Sequence, residues 1–240
     1  MKVYALADLH LSLDRPFDLN ASETFSGTKP MDIFGTRWDA HIRRIHENWC
    51  DVVTADDIVL VAGDISWAMT LAEACWDLDF VGNLPGRKIM IRGNHDYWWH
   101  SVKKIREQLA PGVEIIQNDA VIFGDIAICG TRLWSLPGSV DFGEEDVPIY
   151  RRELIRQELS LKAAGGRSVI NMNHYMPVNP KGDENELTEL FSRYHVCVEI
   201  YGHLHDKSHA IAVEGEKHGV TYVLTSADFL DFTPRFICEI

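Results

Sequence analysis

The sequence predicts an α/β fold with helices outside its sheets, and three observations carry that expectation. Short β-branched or apolar runs alternate with longer amphipathic ones along the chain. Its 240 residues, 46% apolar and 25% charged, suffice for one large core or two small ones and exclude disordered and fibrous classes. No internal repeat, low-complexity tract or linker divides the chain, so residues 1–240 read as one domain.

Taken in order, runs 3–7, 58–62, 88–91, 168–172 and 196–201 read as strands. Segments 38–53, 71–81, 99–109, 150–163 and 185–194 mix apolar and charged positions at helical spacing, with Gly165-Gly166 as a stop for the fourth. Gly124-Asp125 between two apolar runs marks a hairpin over 121–129, and a second hairpin is expected to join 210–213 to 221–225. Residues 14–37 and 136–147 lack periodicity. The first, with Pro16, Gly27, Pro30 and Gly35, is long enough to form a lid over a site, with Arg15 and Arg37 as phosphate contacts. The acidic run Glu144-Glu145-Asp146 reads as a solvated loop.

Charge and cysteine usage narrow the function. Lys and Arg number 23 against 36 Asp and Glu, and the net charge of −13 gives a field that repels nucleic acid and anionic membrane. The 5 cysteines are scattered and form no C-x-x-C pair. That fits neither a disulfide framework nor a thiolate zinc site, and it suits a reducing cytoplasm. No apolar run approaches the roughly 20 residues of a spanning helix, and the stretch ending in Ala5-Leu6-Ala7 is too short for the apolar part of a signal peptide.

The chemistry lies at the strand exits. Asp8 and His10 follow the first run, Gly63-Asp64 the second, Gly93-Asn94-His95-Asp96 the third, His174 the fourth, and His203 with His205 the fifth. Ligands of open α/β sheets bind beyond the carboxyl ends of strands, so these groups are expected to converge. Asp8 with His10, and His203 with His205, have the i, i+2 spacing that sets two side chains on one side of an extended segment. Carboxylate, imidazole and amide oxygen without thiolate suit manganese, iron or zinc. Asp8, His10, Asp64, Asn94, His174, His203 and His205 outnumber what one four-coordinate ion can use. The expected cofactor is therefore a pair of divalent transition metal ions about 3.5–4 Å apart.

In that order the motifs D-x-H, G-D, G-N-H-D, H and G-H-x-H resemble the signature of the calcineurin-like metallophosphoesterases, in particular their bacterial predicted phosphohydrolase branch. The resemblance covers most of the chain. It implies an α/β fold built as a four-layer α-β-β-α sandwich of two mixed β-sheets flanked by helices. It also implies that Asp8, His10, Asp64 and His205 hold one ion and that Asp64, Asn94, His174 and His203 hold the other, with Asp64 bridging and thereby catalytic. His95 is then no ligand but a second catalytic group, giving a proton or hydrogen bond to the leaving oxygen. The implied reaction is hydrolysis of a small or nucleotide-like phosphoester by direct attack of a metal-bridging hydroxide. A phosphodiester is preferred, because G-H-x-H is typical of diesterases in that superfamily.

Several residues carry two readings. Tyr97-Trp98-Trp99 reads first as core packing and second as a stacking wall for substrate, a question Trp67 shares. Asn94, Arg132 and Trp134 are candidate substrate contacts, although a solvent-facing salt bridge is the simpler role for Arg132. His41, His46, His100, His195, His209 and His218 read as structural. Trp67 and Ala68 stand where the protein serine/threonine phosphatases carry the aspartate and arginine of G-D-x-x-D-R, which argues against a phosphoprotein substrate and leaves His95 without an assigned partner. The branch that hydrolyses a nucleotide-linked lipid precursor has arginine in place of His95, so that pattern is not met either. The rival readings are a phosphomonoesterase or protein phosphatase, a nuclease of the same chemistry, and a catalytically silent metal-binding scaffold. The acidic charge opposes the nuclease, and the complete ligand set opposes the scaffold.

Overall fold

Strands that are apolar on both faces force the architecture, because each face must be covered by another layer. The computed structural model describes residues 1–20 and 28–240. In the first sheet β1 (Lys2–Ala5), β2 (Ile58–Val61), β3 (Arg87–Met90) and β4 (Val113–Ile115) run parallel, and β11 (Arg235–Glu239) closes the edge antiparallel to β1. The order is β11-β1-β2-β3-β4. The second sheet is built from β5 (Val121–Phe123), β6 (Ile126–Thr131), β7 (Ser168–Asn173), β8 (Val196–Tyr201), β9 (Gly215–Lys217) and β10 (Val220–Leu224). Its order is β5-β6-β7-β8-β10-β9, parallel in the middle and antiparallel at both edges.

Alternation along each strand sorts the core into three clusters. Val3, Ala5, Ile58, Leu60 and Ile89 meet Ile128, Ile170, Met172 and Ile200 between the sheets. Tyr4, Val59, Val61 and Met90 face the other way, onto α1 (His41–Val52), α2 (Cys75–Asn83) and α3 (Val102–Gln108) through Ile42, Ile45, Trp49, Phe80 and Ile105. Cys129, Val169, Tyr201 and Tyr222 pack under α4 (Val147–Ala163) and α5 (Glu186–Arg193) through Leu161, Leu187 and Phe191. The result is the predicted helix–sheet–sheet–helix sandwich.

The five predicted strands form, and the differences have local causes. Helix α3 starts at Val102 rather than 99 because the Ser101 side chain caps it, accepting from the Lys104 amide. Trp98 and Trp99 precede it as buried core residues. Helix α1 starts at His41 rather than 38, after Ala40 in a left-handed conformation. The second hairpin is corrected: β10 pairs with Gly215–Lys217, while Ala210 and Ile211 end a 3-10 helix, Asp206–Ile211. Residues Glu144–Asp146 form a 3-10 turn rather than a plain solvated loop, since the Asp146 carboxylate accepts from Gly143 N and Trp134 Nε1. Residues 21–27 of the 14–37 loop, including Gly27, lie outside the described residues, and the predicted lid falls partly on them. The following limb packs inward: Met31 and Trp38 are buried, and Trp67 Nε1 reaches Met31 Sδ at 3.2 Å.

Candidate metal centre

Five strand exits meet at one edge of the sandwich, three from the first sheet and two from the second. Backbone hydrogen bonds stitch the exits together: Asp8 N to Gly63 O at 2.9 Å, His10 N to Asp64 O at 3.0 Å, Gly202 N to His174 O at 3.1 Å. To turn their side chains inward, Asp8, His10, Asp64 and His203 adopt φ of 60°, 45°, 52° and 69°. Such left-handed residues cost on the order of 1–3 kcal/mol each and gather where function requires them. Two glycines allow the approach. A Cβ on Gly202 would lie 2.6 Å from Asp8 Oδ2, and one on Gly93 would collide with the Asp64 amide and carboxylate.

Both carboxylates are held by one oxygen, leaving the other turned to the centre. Asp64 Oδ1 accepts from His95 N at 2.8 Å, so Oδ2 stands 3.8 Å from His10 Nε2 and 3.4 Å from His174 Nε2. Asp8 Oδ2 accepts from His203 N at 2.9 Å, so Oδ1 faces His205 Nε2 at 3.7 Å and His174 Nδ1 at 3.8 Å. Asn94 Oδ1 lies 2.7 Å from His174 Nε2. Donors that share a cation at about 2.1 Å stand roughly 3–4 Å from one another, so these spacings fit a metal. Asp8, His10 and His205 make one such group, and Asp8, Asp64 and His174 another.

Two further observations favour cations. Asp8 Oδ1 is buried and has no hydrogen-bond partner among the described residues, a state that is costly unless something positive meets it. Both nitrogens of His174 face oxygens, Ala62 O at 3.0 Å and Asn94 Oδ1 at 2.7 Å, contacts that a ring carrying two protons would satisfy. Burial opposes that charge, but the Asp64 and Asp8 carboxylates outweigh it and raise His174 to about 9. That proton occupies a place a divalent ion would take. Burial lowers His10 and His203 to about 3, which keeps them neutral and able to ligate.

The surroundings orient these groups. Trp67 stacks on His10 with ring centroids 4.9 Å apart and tilts against His95 at 4.3 Å. The carboxylate of Asp96 turns away from His95, accepting from Gly93, Ile65 and Ser66 amides and from Trp98 Nε1. His95 Nδ1 instead meets Tyr97 Oη at 3.4 Å. Burial lowers the His95 pKa, with the Asp64 charge opposing.

Of the predicted residues, the structure brings Asp8, His10, Asp64, Asn94, His95, His174 and His205 together. His203 joins neither donor group, but its ring lies 5.0 Å from that of His174 and 4.1 Å from Tyr175. Tyr97 is exposed at 39%, whereas Trp98 and Trp99 are core, so the aromatic run divides between its two readings. Arg132 stands beside an acidic partner as its simpler reading expects but does not face solvent: its side chain is only 12% exposed, 3.6 Å from buried Glu153, and lies over the Trp134 ring. Asp228 is the residue the sequence reading missed. Its carboxylate accepts from His205 Nδ1 at 2.8 Å and lies 3.2 Å from His209 Nε2, a contact of the kind that fixes the orientation of a ligating histidine. The signal was available, since Asp228 follows β10 as the ligands follow their strands.

The family model for calcineurin-like phosphoesterases matches residues 1–207. The chain belongs to the calcineurin-like phosphoesterase family. Asp228 lies beyond the matched segment. Among solved structures, a phosphopantetheinyl hydrolase from Mycobacterium tuberculosis has a TM-score of 0.58 at 15% identity, covering 98% of this chain and 95% of that one. A protein of unknown function from Aquifex aeolicus has a TM-score of 0.49 at 18% identity, over 98% and 95% of the two chains. No curated protein matches the chain. No helix among the described residues is long and apolar enough to cross a membrane.

Proposed function

We propose that this chain is a dinuclear metal-dependent phosphoesterase that hydrolyses a small or nucleotide-like phosphoester, with diesters preferred. The observation that carries the proposal is the convergence of Asp8, His10, Asp64, Asn94, His174 and His205 around a buried carboxylate oxygen that lacks a partner. Asp8, His10, Asp64 and His205 would hold one ion, and Asp64, Asn94, His174 and His203 the other. Manganese, iron or zinc suits these donors. When bound, the ions make water a nucleophile at neutral pH and offset charge on phosphate oxygens.

The chain's own residues supply the rest. Asp64, tied by the His95 amide, keeps its free oxygen between the two histidine sets. His95 stands beside the centre with its pKa lowered by burial, which favours the neutral ring with one N–H. The Tyr97 hydroxyl, donating to Nδ1, would leave that proton on Nε2, aimed at the leaving oxygen. Trp67 tilts against the ring with centroids 4.3 Å apart and so limits its rotation, in the place where a carboxylate orients the histidine of protein phosphatases. The diester preference rests on the G-H-x-H motif, His203 with His205.

The test is a metal-reconstituted assay against paired chromogenic mono- and diesters, followed by a panel of nucleotides and a phosphopantetheinylated protein. Diester turnover above monoester turnover is expected. No turnover of any ester with either manganese, iron or zinc would sink the proposal. Trapping a phosphorylated side chain would sink direct hydrolysis.

A further inference from the structure

Beside the metal centre, four arginines crowd one buried glutamate. Glu153, on α4, is fully buried. Arg156 Nη1 donates to its Oε1 at 2.8 Å, and Thr131 Oγ1 donates to Oε2 at 3.0 Å. Arg132 Nη2 and Arg152 Nε stand 3.6 Å from Oε1, too far for a good hydrogen bond. Arg92 feels the charge of Glu153 and of Asp96, but Asp96 is already engaged by four N–H donors. Each guanidinium offers five N–H donors. The Nε atoms of Arg92 and Arg132 are buried without a partner among the described residues. On a chain of net charge −13, this is a local excess of positive charge with unfilled donors.

The cluster is joined to the centre by backbone. Arg92 directly precedes Gly93-Asn94-His95, and the Arg132 carbonyl accepts from the His174 and Tyr175 amides, both at 3.2 Å. Arg132 lies 4.5 Å over the Trp134 ring, which tilts against Tyr175, which in turn tilts against His203. The side chains of Arg152 and Arg156 are partly exposed at 54% and 33%, so a ligand can reach the cluster from solvent.

Resting on the phosphoesterase reading, we propose that this arginine cluster is a second anion subsite, and that the substrate carries a second phosphate besides the one that is cleaved. Planar guanidinium groups grip phosphate oxygens in pairs, which is the acceptor these donors lack. The second phosphate fixes the substrate's register while the ester bond is presented to the metal centre.

Two measurements decide it. The first compares thymidine 5′-(p-nitrophenyl phosphate) with and without a 3′-phosphate on the metal-loaded protein. The 3′-phosphate is expected to lower KM about tenfold, and Arg132→Gln and Arg152→Gln are each expected to shrink that ratio. Equal KM values in the wild type, or a ratio unchanged in both variants, would overturn the subsite. The second titrates inorganic pyrophosphate and malonate into metal-free protein, following tryptophan fluorescence. Pyrophosphate binding that weakens about tenfold in Arg132→Gln supports the subsite, while no binding, or equal binding of malonate, overturns a phosphate site. If neither ester is cleaved but pyrophosphate binds, the esterase reading fails and the anion site stands. A purely structural role for Arg132 would lower Tm and leave both ratios as they were.

Discussion

Asp64, like Asp8, divides its two oxygens between different tasks. One is fixed by the His95 amide and the other lies between His10 and His174. Asp64→Asn keeps the shape and removes the charge, so turnover should vanish and both ions should bind at least about 100-fold more weakly. Calorimetric metal titration beside the diester assay checks both, and normal turnover would remove Asp64 from its role. His95→Asn should behave oppositely, keeping metal stoichiometry while the rate falls about 10²–10⁴-fold. Asp228→Asn tests the residue outside the motif pattern. Its carboxylate accepts from His205 Nδ1, which keeps the ring's proton there and leaves Nε2 turned to the centre. The ion held by His205 should then bind about 10- to 100-fold more weakly, with little change at the other. Six of the seven candidate ligands were legible because each is a carboxylate or imidazole at the end of an apolar run, and Asn94 because its amide oxygen stands in such a place. Asp228 carries the same signal, but its strand falls in the second predicted hairpin rather than among the five runs.

At the scale of elements, α4 covers the second sheet through polar contacts as well as through Leu161. Gln157 Nε2 donates to Asn171 Oδ1 at 2.7 Å, Asn173 Nδ2 to Gln157 Oε1 at 2.7 Å, and Asn171 Nδ2 to Glu199 Oε2 at 2.7 Å. All four residues are fully buried. Periodicity gave β7 and β8 correctly as strands but could not show that their outer face is a hydrogen-bonded strip, since Asn171 and Glu199 look like solvent-facing positions. Burial raises the Glu199 pKa well above the ordinary carboxylate value, with the Asn171 hydrogen bond opposing. The sign follows from linkage. The unfolded chain releases this proton near pH 4.3 and the folded one later, so stability present at low pH is lost as pH rises past about 4.3. Glu199→Gln cannot ionise and should therefore match the wild type at pH 4 and exceed its Tm increasingly as the pH rises toward 8. Parallel Tm curves for the two proteins would show that Glu199 does not titrate in this way.

Across the whole molecule, the layered fold was readable because its driving term is apolar burial, which patterning records directly. The pairing of the edges was not, because 210–213 and 215–217 differ by turn geometry rather than hydropathy. The same layering gives the metal centre a global consequence. Asp8, His10, Asp64 and Asn94 leave the first sheet, while His174, His203 and His205 leave the second. Cations held by both sets would join the two sheets and bind only the folded chain, so an ion at 100 times its dissociation constant should add about 2.7 kcal/mol. For a chain of this size that corresponds to a Tm rise of about 5–11 °C, reversed by a chelator. Binding must also displace the proton that holds His174 at about 9. Affinity therefore falls as pH drops below about 9, and the manganese-induced Tm shift should be larger at pH 8 than at pH 6. Differential scanning fluorimetry with and without manganese at both pH values reads this directly, with Asp64→Asn as the variant expected to show little shift at either. A wild-type shift absent at both pH values, or equal in Asp64→Asn, would mean that no cation bridges the sheets through these side chains.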